Sequence, residues 1–366
     1  MSKINVGILY GGRSAEHEIS LISAKSVVQA LDRDRYDIHL IGISKNGKWF
    51  LQPLPTQEAL SRLDALSIIT DHDKQVNLVA NEHWHELLHV NNDNTAIEVD
   101  VFFPVLHGPF GEDGTIQGLL RMARAPFVGS DVLSTALCMD KDYTKRLLKE
   151  RGLPTCDHLC LHSHNYSEDM LDTVIETLGL PCFVKPANLG SSVAINKAKT
   201  KAELAAAIQE AFGFDHKIIL EAFIDGREIE CAVLGNELPK ASVLGEILTQ
   251  FEFYSYEAKY ADTSLKLDIP ADVPAQTSER IQELAIAAFE ALDCHGMARV
   301  DFFLQNDGAI YINEINTIPG FTPVSMYPLL WQASGLEYPA LIDQLIELAL
   351  ERFDRQSSLR SEYSRR

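Results

Sequence analysis

The stretch Lys3-Ile4-Asn5-Val6-Gly7-Ile8-Leu9-Tyr10, followed at once by Gly11-Gly12, decides the fold class. It reads as a short buried strand. Gly11-Gly12 turns the chain, and Ser14 is a good helix N-cap. Glu16 and Glu18 fall in the first turn, where the helix dipole favours acids. Ile19, Ile22, Ser26, Val27, Ala30 and Leu31 recur at helical spacing, and Tyr36–Ile43 reads as a second strand. Strand, helix and strand make a βαβ unit, which predicts an α/β chain opening on a parallel sheet.

Working outward, 366 residues exceed one compact core and predict two or three domains. No apolar run reaches the ~18 residues of a membrane span. Met1-Ser2-Lys3-Ile4-Asn5 enters a strand with no signal peptide, and six scattered cysteines read as reduced thiols, so a cytoplasmic protein is expected. A net charge of −20 argues against a nucleic-acid or anionic-membrane partner.

Residues 52–98 are polar and weakly periodic, and read as a peripheral insertion. Val99–Leu106 is a buried strand ending in His107-Gly108; a loop at Gly111–Gly114 and a helix at Ile116–Ala123 follow. Asp140–Arg151 is a helix stopped by Gly152 and Pro154. Pro181–Pro186 is a strand, with Val193–Asn196 as its returning partner. Lys201–Phe212 is helical; Lys217–Glu221 and Glu228–Leu234 are strands. Phe251–Asp268 lacks clean periodicity and reads as a long loop. Glu279–Ala291 is a helix, Met297–Leu304 and Ile310–Asn316 a hairpin pair, Leu341–Arg352 a last helix, and Ser357–Arg366 a frayed tail.

Chemistry concentrates in that hairpin pair. Strand alternation puts Arg299, Asp301 and Phe303 on one face, and Ile312, Glu314 and Asn316 on one face of the partner. If the strands pair, Asp301, Glu314 and Asn316 converge as hard oxygen ligands suited to Mg²⁺. The competing reading is a hairpin with a solvated acidic face. Phe183-Val184-Lys185-Pro186 runs into the loop Ala187–Ser192, whose N–H groups and hydroxyls can cover phosphates; the alternative is a surface turn. It is not a Walker loop. Nor do Gly7, Gly11 and Gly12 fit a dinucleotide fingerprint. The first strand-to-helix turn can still take a small carboxylate, and Glu16 an ammonium, unless Glu16 is simply a dipole-favoured acid.

Two stretches imitate metal sites. His85-Glu86-Leu87-Leu88-His89 matches the zinc-protease helix, but lies in the weakly structured insertion without a third ligand. Cys156, His158, Cys160, His162 and His164 share one strand face, where a soft metal competes with a plain connecting strand.

Gly11-Gly12-Arg13-Ser14-Ala15-Glu16-His17-Glu18-Ile19-Ser20 resembles the opening signature of the D-alanine–D-alanine ligases. Leu106-His107-Gly108 through Gly111-Glu112-Asp113-Gly114 and Gln117-Gly118 resembles the second signature. Lys185 to Ser192, Arg299 to Asp301 and Asn313 to Gly320 resemble the rest, so the likeness runs from Ile4 to about Arg352. It implies an ATP-grasp fold: a Rossmann-like domain at 1–138 holding the first D-alanine, a central domain at 139–224, and a C-terminal domain at 225–366. The last carries a lid at about 251–268. The resemblance also implies a homodimer that makes D-alanyl-D-alanine for peptidoglycan precursors.

The roles implied are specific. Lys141 and Lys185 would contact the ATP phosphates and adenine, Glu221 and the backbone after it the adenine, and Glu228 the ribose. Asp301, Glu314 and Asn316 would hold two Mg²⁺ (or Mn²⁺) ions. Glu16 would bind the ammonium of the first D-alanine, with His107 near it. Arg299 and the Gly320 N–H would form an oxyanion hole. Ser325 and the Met326 N–H would take the second carboxylate. Glu16, Ser191 and Tyr260 would form a hydrogen-bonded triad, Ser192 would belong to the phosphate loop, and Lys259 would reach the transferred phosphate.

Two positions depart from the family pattern. Ala194 stands where glycine is often found, and the lid stretch Ala261–Asp268 is unlike it. Related D-alanyl-D-lactate ligases replace the lid tyrosine, so Tyr260 favours an amide product. That depsipeptide ligase and other ATP-grasp carboxylate–amine ligases are the alternatives.

Overall fold

The computed structural model describes residues 2–79, 86–90, 96–191, 193–248 and 266–360. The chain opens with β1 (Ile4–Gly11), α1 (His17–Ala30), β2 (Tyr36–Ile43) and β3 (Trp49–Gln52), then α2 (Gln57–Arg62), β4 (Val76–Leu78), β5 (Glu86–Val90), β6 (Ala96–Glu98) and β7 (Val101–Val105). β1 lies between β2 and β7, parallel to both, and β3 closes the edge in the order β3-β2-β1-β7. The expected parallel sheet is therefore present. β1 is continuously buried from Val6 onward, as a strand covered on both faces must be. Gly11 ends it at φ +91°, and a Cβ there would run into the Ile43 carbonyl, so only glycine makes this turn.

Two expectations about α1 are corrected. The helix begins at His17 with Glu16 at the cap, while Ser14 Oγ accepts from Glu16 N–H and donates to the His107 carbonyl. Its buried stripe runs through Ser20, Leu21, Ala24, Val27, Val28 and Leu31, whereas Ile19, Ile22 and Ala30 are only partly covered. Two core serines, Ser20 and Ser23, explain the shift. Ser20 Oγ, for example, accepts from Gly11 N–H and donates to the Val105 carbonyl, so it acts as a core residue.

The 52–98 segment is not wholly peripheral. Leu60 and Leu66 enter the first core, and β4, β5 and β6 form a small antiparallel sheet.

Next come α3 (Thr115–Met122), α4 (Val132–Met139), α5 (Lys141–Glu150), β8 (His158–His162), α6 (Met170–Leu178), β9 (Cys182–Pro186), β10 (Asn196–Ala198), α7 (Lys201–Phe212) and β11 (Lys217–Ala222). The four strands form an antiparallel sheet, β10-β9-β11-β8, with α6 and α7 packed on it. The returning strand starts at Asn196 and not at Val193. Ala194 sits at φ +55°, a left-handed conformation that suits glycine and costs other residues ~1–2 kcal/mol.

The last part holds β12 (Gly226–Gly235), β13 (Lys240–Leu248), β14 (Lys266–Asp268), α8 (Ala275–Ala291), β15 (Gly296–Gln305), β16 (Ile310–Asn316), α9 (Met326–Ala333) and α10 (Tyr338–Ser357). Its antiparallel sheet runs β14-β13-β12-β15-β16. Ile281, Leu284, Ala285, Ala288 and Phe289 form the apolar stripe of α8, which covers Val300, Phe302 and Leu304 of β15. Residues 266–268 are strand and not loop; the rest of the expected lid, 251–265, lies outside the described residues.

The first and last sheets share one core. Leu341, Ile342, Leu345 and Ile346 of α10 pack with Val6, Ile8 and Val27, and with Leu234 and Met297. Arg35 and Tyr36 bond Asp343, and Arg352 donates to the Phe127 and Gly129 carbonyls. Among the described residues no helix is long and apolar enough to cross a membrane.

Candidate active site

A pocket opens between the sheets β10-β9-β11-β8 and β14-β13-β12-β15-β16, lined by Phe183, Lys185, Glu221, Glu228, Asp301 and Glu314 among others. One side is the β15–β16 hairpin. Arg299 pairs with Asn316 and Asp301 with Glu314, but Phe302 then pairs with Ile312, so Asn313 is a bulge residue. The bulge corrects the expected alternation: Ile312 is fully buried in the α8 core, while Glu314 and Asn316 turn toward Asp301. Asn316 Nδ2 donates to Asp301 Oδ2 at 2.9 Å.

Like charges directly opposite on a sheet repel, so the Asp301–Glu314 pair calls for a cation. Arg299 supplies one, with Nε and Nη2 each 2.7 Å from Asp301, and Nε 2.9 Å from Glu230. Burial opposes its charge, but Asp301 and Glu230 hold it well above the ordinary guanidinium range. Lys141 Nζ lies 3.4 Å from Glu314. Two carboxylates and an amide oxygen fit a hard divalent ion that also touches phosphate. Among the described residues no group of three His, Cys, Asp or Glu side chains is placed to hold a metal, so this mixed set stands apart.

The opposite side is β9 and β11. Register places Lys185 opposite Ile219 and Phe183 opposite Glu221, which sets Lys185 and Glu221 on one face. Their charges meet at 2.6 Å, and Lys145 Nζ reaches the other Glu221 oxygen at 2.9 Å. Burial resists ionisation of Glu221, yet the Lys145 and Lys185 charges hold its carboxyl far below the usual range. Asp140 caps α5 through the Asp142 and Tyr143 N–H groups. That fixes Lys141, whose Nζ also donates to the Leu189 carbonyl in the loop after β9 at 2.8 Å. Glu228 stands on β12 at the pocket wall.

Glu16 comes from the other end of the chain. Its Oε1 accepts a hydrogen bond from Ser191 Oγ, which ties the start of α1 to the loop after β9. Gly108, at φ +69°, lets Glu16 approach, because a Cβ there would strike Glu16 Oε2. Tyr260, Lys259 and Ser192 lie outside the described residues.

His107 is a buried brace: its Nδ1 lies 3.1 Å from the Ile318 carbonyl and its Nε2 3.1 Å from Ser23 Oγ. Burial keeps the imidazole below its usual range. Ser23 Oγ in turn accepts from Phe321 N–H, so Gly320 is held from both sides. Ser325 Oγ accepts from Thr322 N–H, and a Cβ on Gly320 would lie 2.6 Å from that oxygen. Gly320, Ser325 and the first residue of α9, Met326, are therefore adjacent. A helix start there can receive a carboxylate.

Sequence reading missed Glu112 and Lys145. Half-buried Glu112 accepts from Gly108 N–H at 2.8 Å and from Ile318 N–H at 3.1 Å. Burial, helped by the Glu16 charge, pushes its carboxyl up to about 8 against those bonds. The folded value exceeds the unfolded one of about 4.3, so this stabilisation is full below that pH and is lost as pH rises through about 8. Glu112→Gln should flatten that decline; melting temperatures from pH 5 to about 9 that fall equally in both proteins would contradict it.

Among the described residues neither imitated metal site is assembled. Glu86–Val90 is a strand, so the zinc-protease helix is absent; His85 lies outside the described residues. His85→Ala should leave turnover unchanged, and a large loss would make the insertion functional. β8 carries His158, Cys160 and His162; Asp142 engages His158, and Cys160 lies against His162.

Fold and site together are those of an ATP-grasp ligase, with its two antiparallel sheets closed on a lysine- and carboxylate-lined pocket. Profiles described as D-ala D-ala ligase N-terminus and C-terminus match residues 5–130 and 147–347. The chain is 50% identical to the D-alanine–D-alanine ligase of Shouchella clausii over 99% of this chain and 98% of that one. It is 48% identical to D-alanine–D-alanine ligase A of Escherichia coli K12, over 99% and 100%. The D-alanine–D-alanine ligase structure from Coxiella burnetii superposes with TM-score 0.85 at 38% identity, covering 97% of this chain and 96% of that one. The VanG D-Ala:D-Ser ligase structure from Enterococcus faecalis gives 0.83 at 36%, covering 95% and 100%. The chain belongs to the D-alanine–D-alanine ligase family, and is a ligase enzyme that uses ATP and a divalent metal.

Proposed function

We propose that the enzyme joins two D-alanines through a D-alanyl phosphate, releasing ADP and phosphate, and so supplies the dipeptide for peptidoglycan precursors. The observation that carries this reading is the bulged hairpin that sets Arg299, Asp301, Glu314 and Asn316 on one face.

A carboxylate resists amine attack because its leaving group would be oxide; phosphorylation makes phosphate the leaving group. Lys141 and Lys185 would hold the ATP phosphates and adenine, with Lys259 at the transferred group, Ser191 and Ser192 in the covering loop, and Glu221 and Glu228 at adenine and ribose. Asp301, Glu314 and Asn316 would hold two Mg²⁺ or Mn²⁺ ions, which supply charge neutralisation at the phosphates. Glu16 would orient the first ammonium beside His107. Arg299 and the Gly320 N–H would stabilise the tetrahedral oxyanion. Ser325 and the Met326 N–H would seat the second carboxylate. Tyr260 would complete the Glu16–Ser191 triad and favour the amide product.

The same reading divides the chain at 138 and 224, makes 251–265 a lid that excludes water from the acyl phosphate, and expects a cytoplasmic homodimer. The test is phosphate release with product identification, using ATP with D-alanine alone, then with added D-lactate or D-serine. D-alanyl-D-alanine as the main product supports the reading. Phosphate release indifferent to D-alanine, or a preferred ester or mixed product, would overturn it.

A further inference from the structure

A second lysine leaves the same face of α5 one turn after Lys141, and no role above accounts for it. Lys145 is 1% exposed. Its Nζ meets three separate parts of the fold: Glu221 Oε1 at 2.9 Å on β11, Cys156 Sγ at 3.3 Å, and the Asn313 carbonyl at 3.1 Å on β16. Asn313 is the bulge residue that turns Glu314 and Asn316 toward Asp301. Burial alone would strip the proton from such an amine, but the Glu221 charge keeps it above the ordinary range.

We infer that Lys145 is a positioning residue that couples the nucleotide end of the pocket to its metal end. This inference rests on the pocket being the ATP site. Lys145 does not line the pocket, whereas Lys185 does. Two lysines share the single Glu221 carboxylate, so the trio keeps one net positive charge, and Lys185 is its member facing the pocket. With Lys145 gone, Glu221 would neutralise Lys185 and hold it from a polyphosphate. The Asn313 carbonyl would also lose its donor, which frees the bulge that aims the metal carboxylates.

The test compares the parent with Lys145→Met, close in length but uncharged, and Lys145→Arg, which keeps the charge. Binding of a non-hydrolysable β,γ-imido ATP analogue with Mg²⁺ is measured by calorimetry, and the KM for D-alanine by phosphate release. Lys145→Met should bind the analogue about 10- to 100-fold more weakly and need more Mg²⁺, with a D-alanine KM near that of the parent. Lys145→Arg should recover much of the affinity. Analogue affinity in Lys145→Met within about twofold of the parent, or equal losses for nucleotide and D-alanine, would overturn the inference. If Lys145→Met does not fold, Lys145→Gln, which retains a donor for Asn313 but no charge, is read the same way. Failure of the parent itself to bind the analogue would instead overturn the ATP reading of the pocket.

Discussion

Arg299→Ala is expected to lower ligation by about two to three orders of magnitude, the usual loss when one oxyanion donor is removed from a preorganised site. The guanidinium is fixed before any substrate arrives: Asp301 takes Nε and Nη2, and Glu230 also lies at Nε. A preset donor needs no reorganisation as charge develops on the reacting carbonyl oxygen. The substitution also leaves two carboxylates without their cation, which in buried pairs costs ~3–5 kcal/mol. Arg299→Lys separates the effects, since it returns the charge without the fork. Turnover and melting temperature should both fall in the alanine variant, whereas the lysine variant should regain stability more than turnover. Near-parental dipeptide synthesis by a folded Arg299→Ala protein would remove Arg299 from the site.

Glu314→Ala is expected to cost more than the ~10–100-fold that follows loss of an outer-sphere metal partner, because Glu314 is assigned as a ligand itself. The cost should fall on metal dependence, with the Mg²⁺ concentration for half-maximal rate rising steeply. The fold should persist: Glu314 is half-buried, Asp301 keeps Arg299, and Ile312 and Ile315 still fill the α8 core. An unchanged metal requirement in a folded Glu314→Ala enzyme would sink the assignment.

Much of the fold was legible because its signals are local. The apolar run of β1 with its double glycine, the stop signals of α5, and the alternation along β15 each depend on neighbours in sequence. What escaped depended on long-range packing. Alternation put Ile312 with Glu314, and the Asn313 bulge that separates them follows from pairing with β15 and from the Lys145 contact. Ser14 read as a cap, but the His107 carbonyl, 93 residues away, claims its hydroxyl. β13 was not picked out, since Lys240–Leu248 mixes charge, glycine and apolar residues without a clean period. Lys185, Glu221, Glu228, Asp301 and Glu314, singled out in the sequence, line one pocket, while Lys145 hid in the polar helix KDYTKRLLKE, where a lysine reads as solvated. Nothing local distinguishes a lysine facing water from one facing Glu221.

The core shared by α10 and the first sheet bears on how the chain emerges during synthesis. The ribosome delivers β1, α1 and β2 well before Leu341 to Ile346 and Arg352, which cover and pin the first sheet's core from far along the chain. The opening βαβ unit therefore leaves the exit tunnel with an apolar flank bare until α10 has been made. A sheet whose cover lies so far along the chain has apolar surface open to misassociation while the chain is nascent, which suits it to chaperone binding.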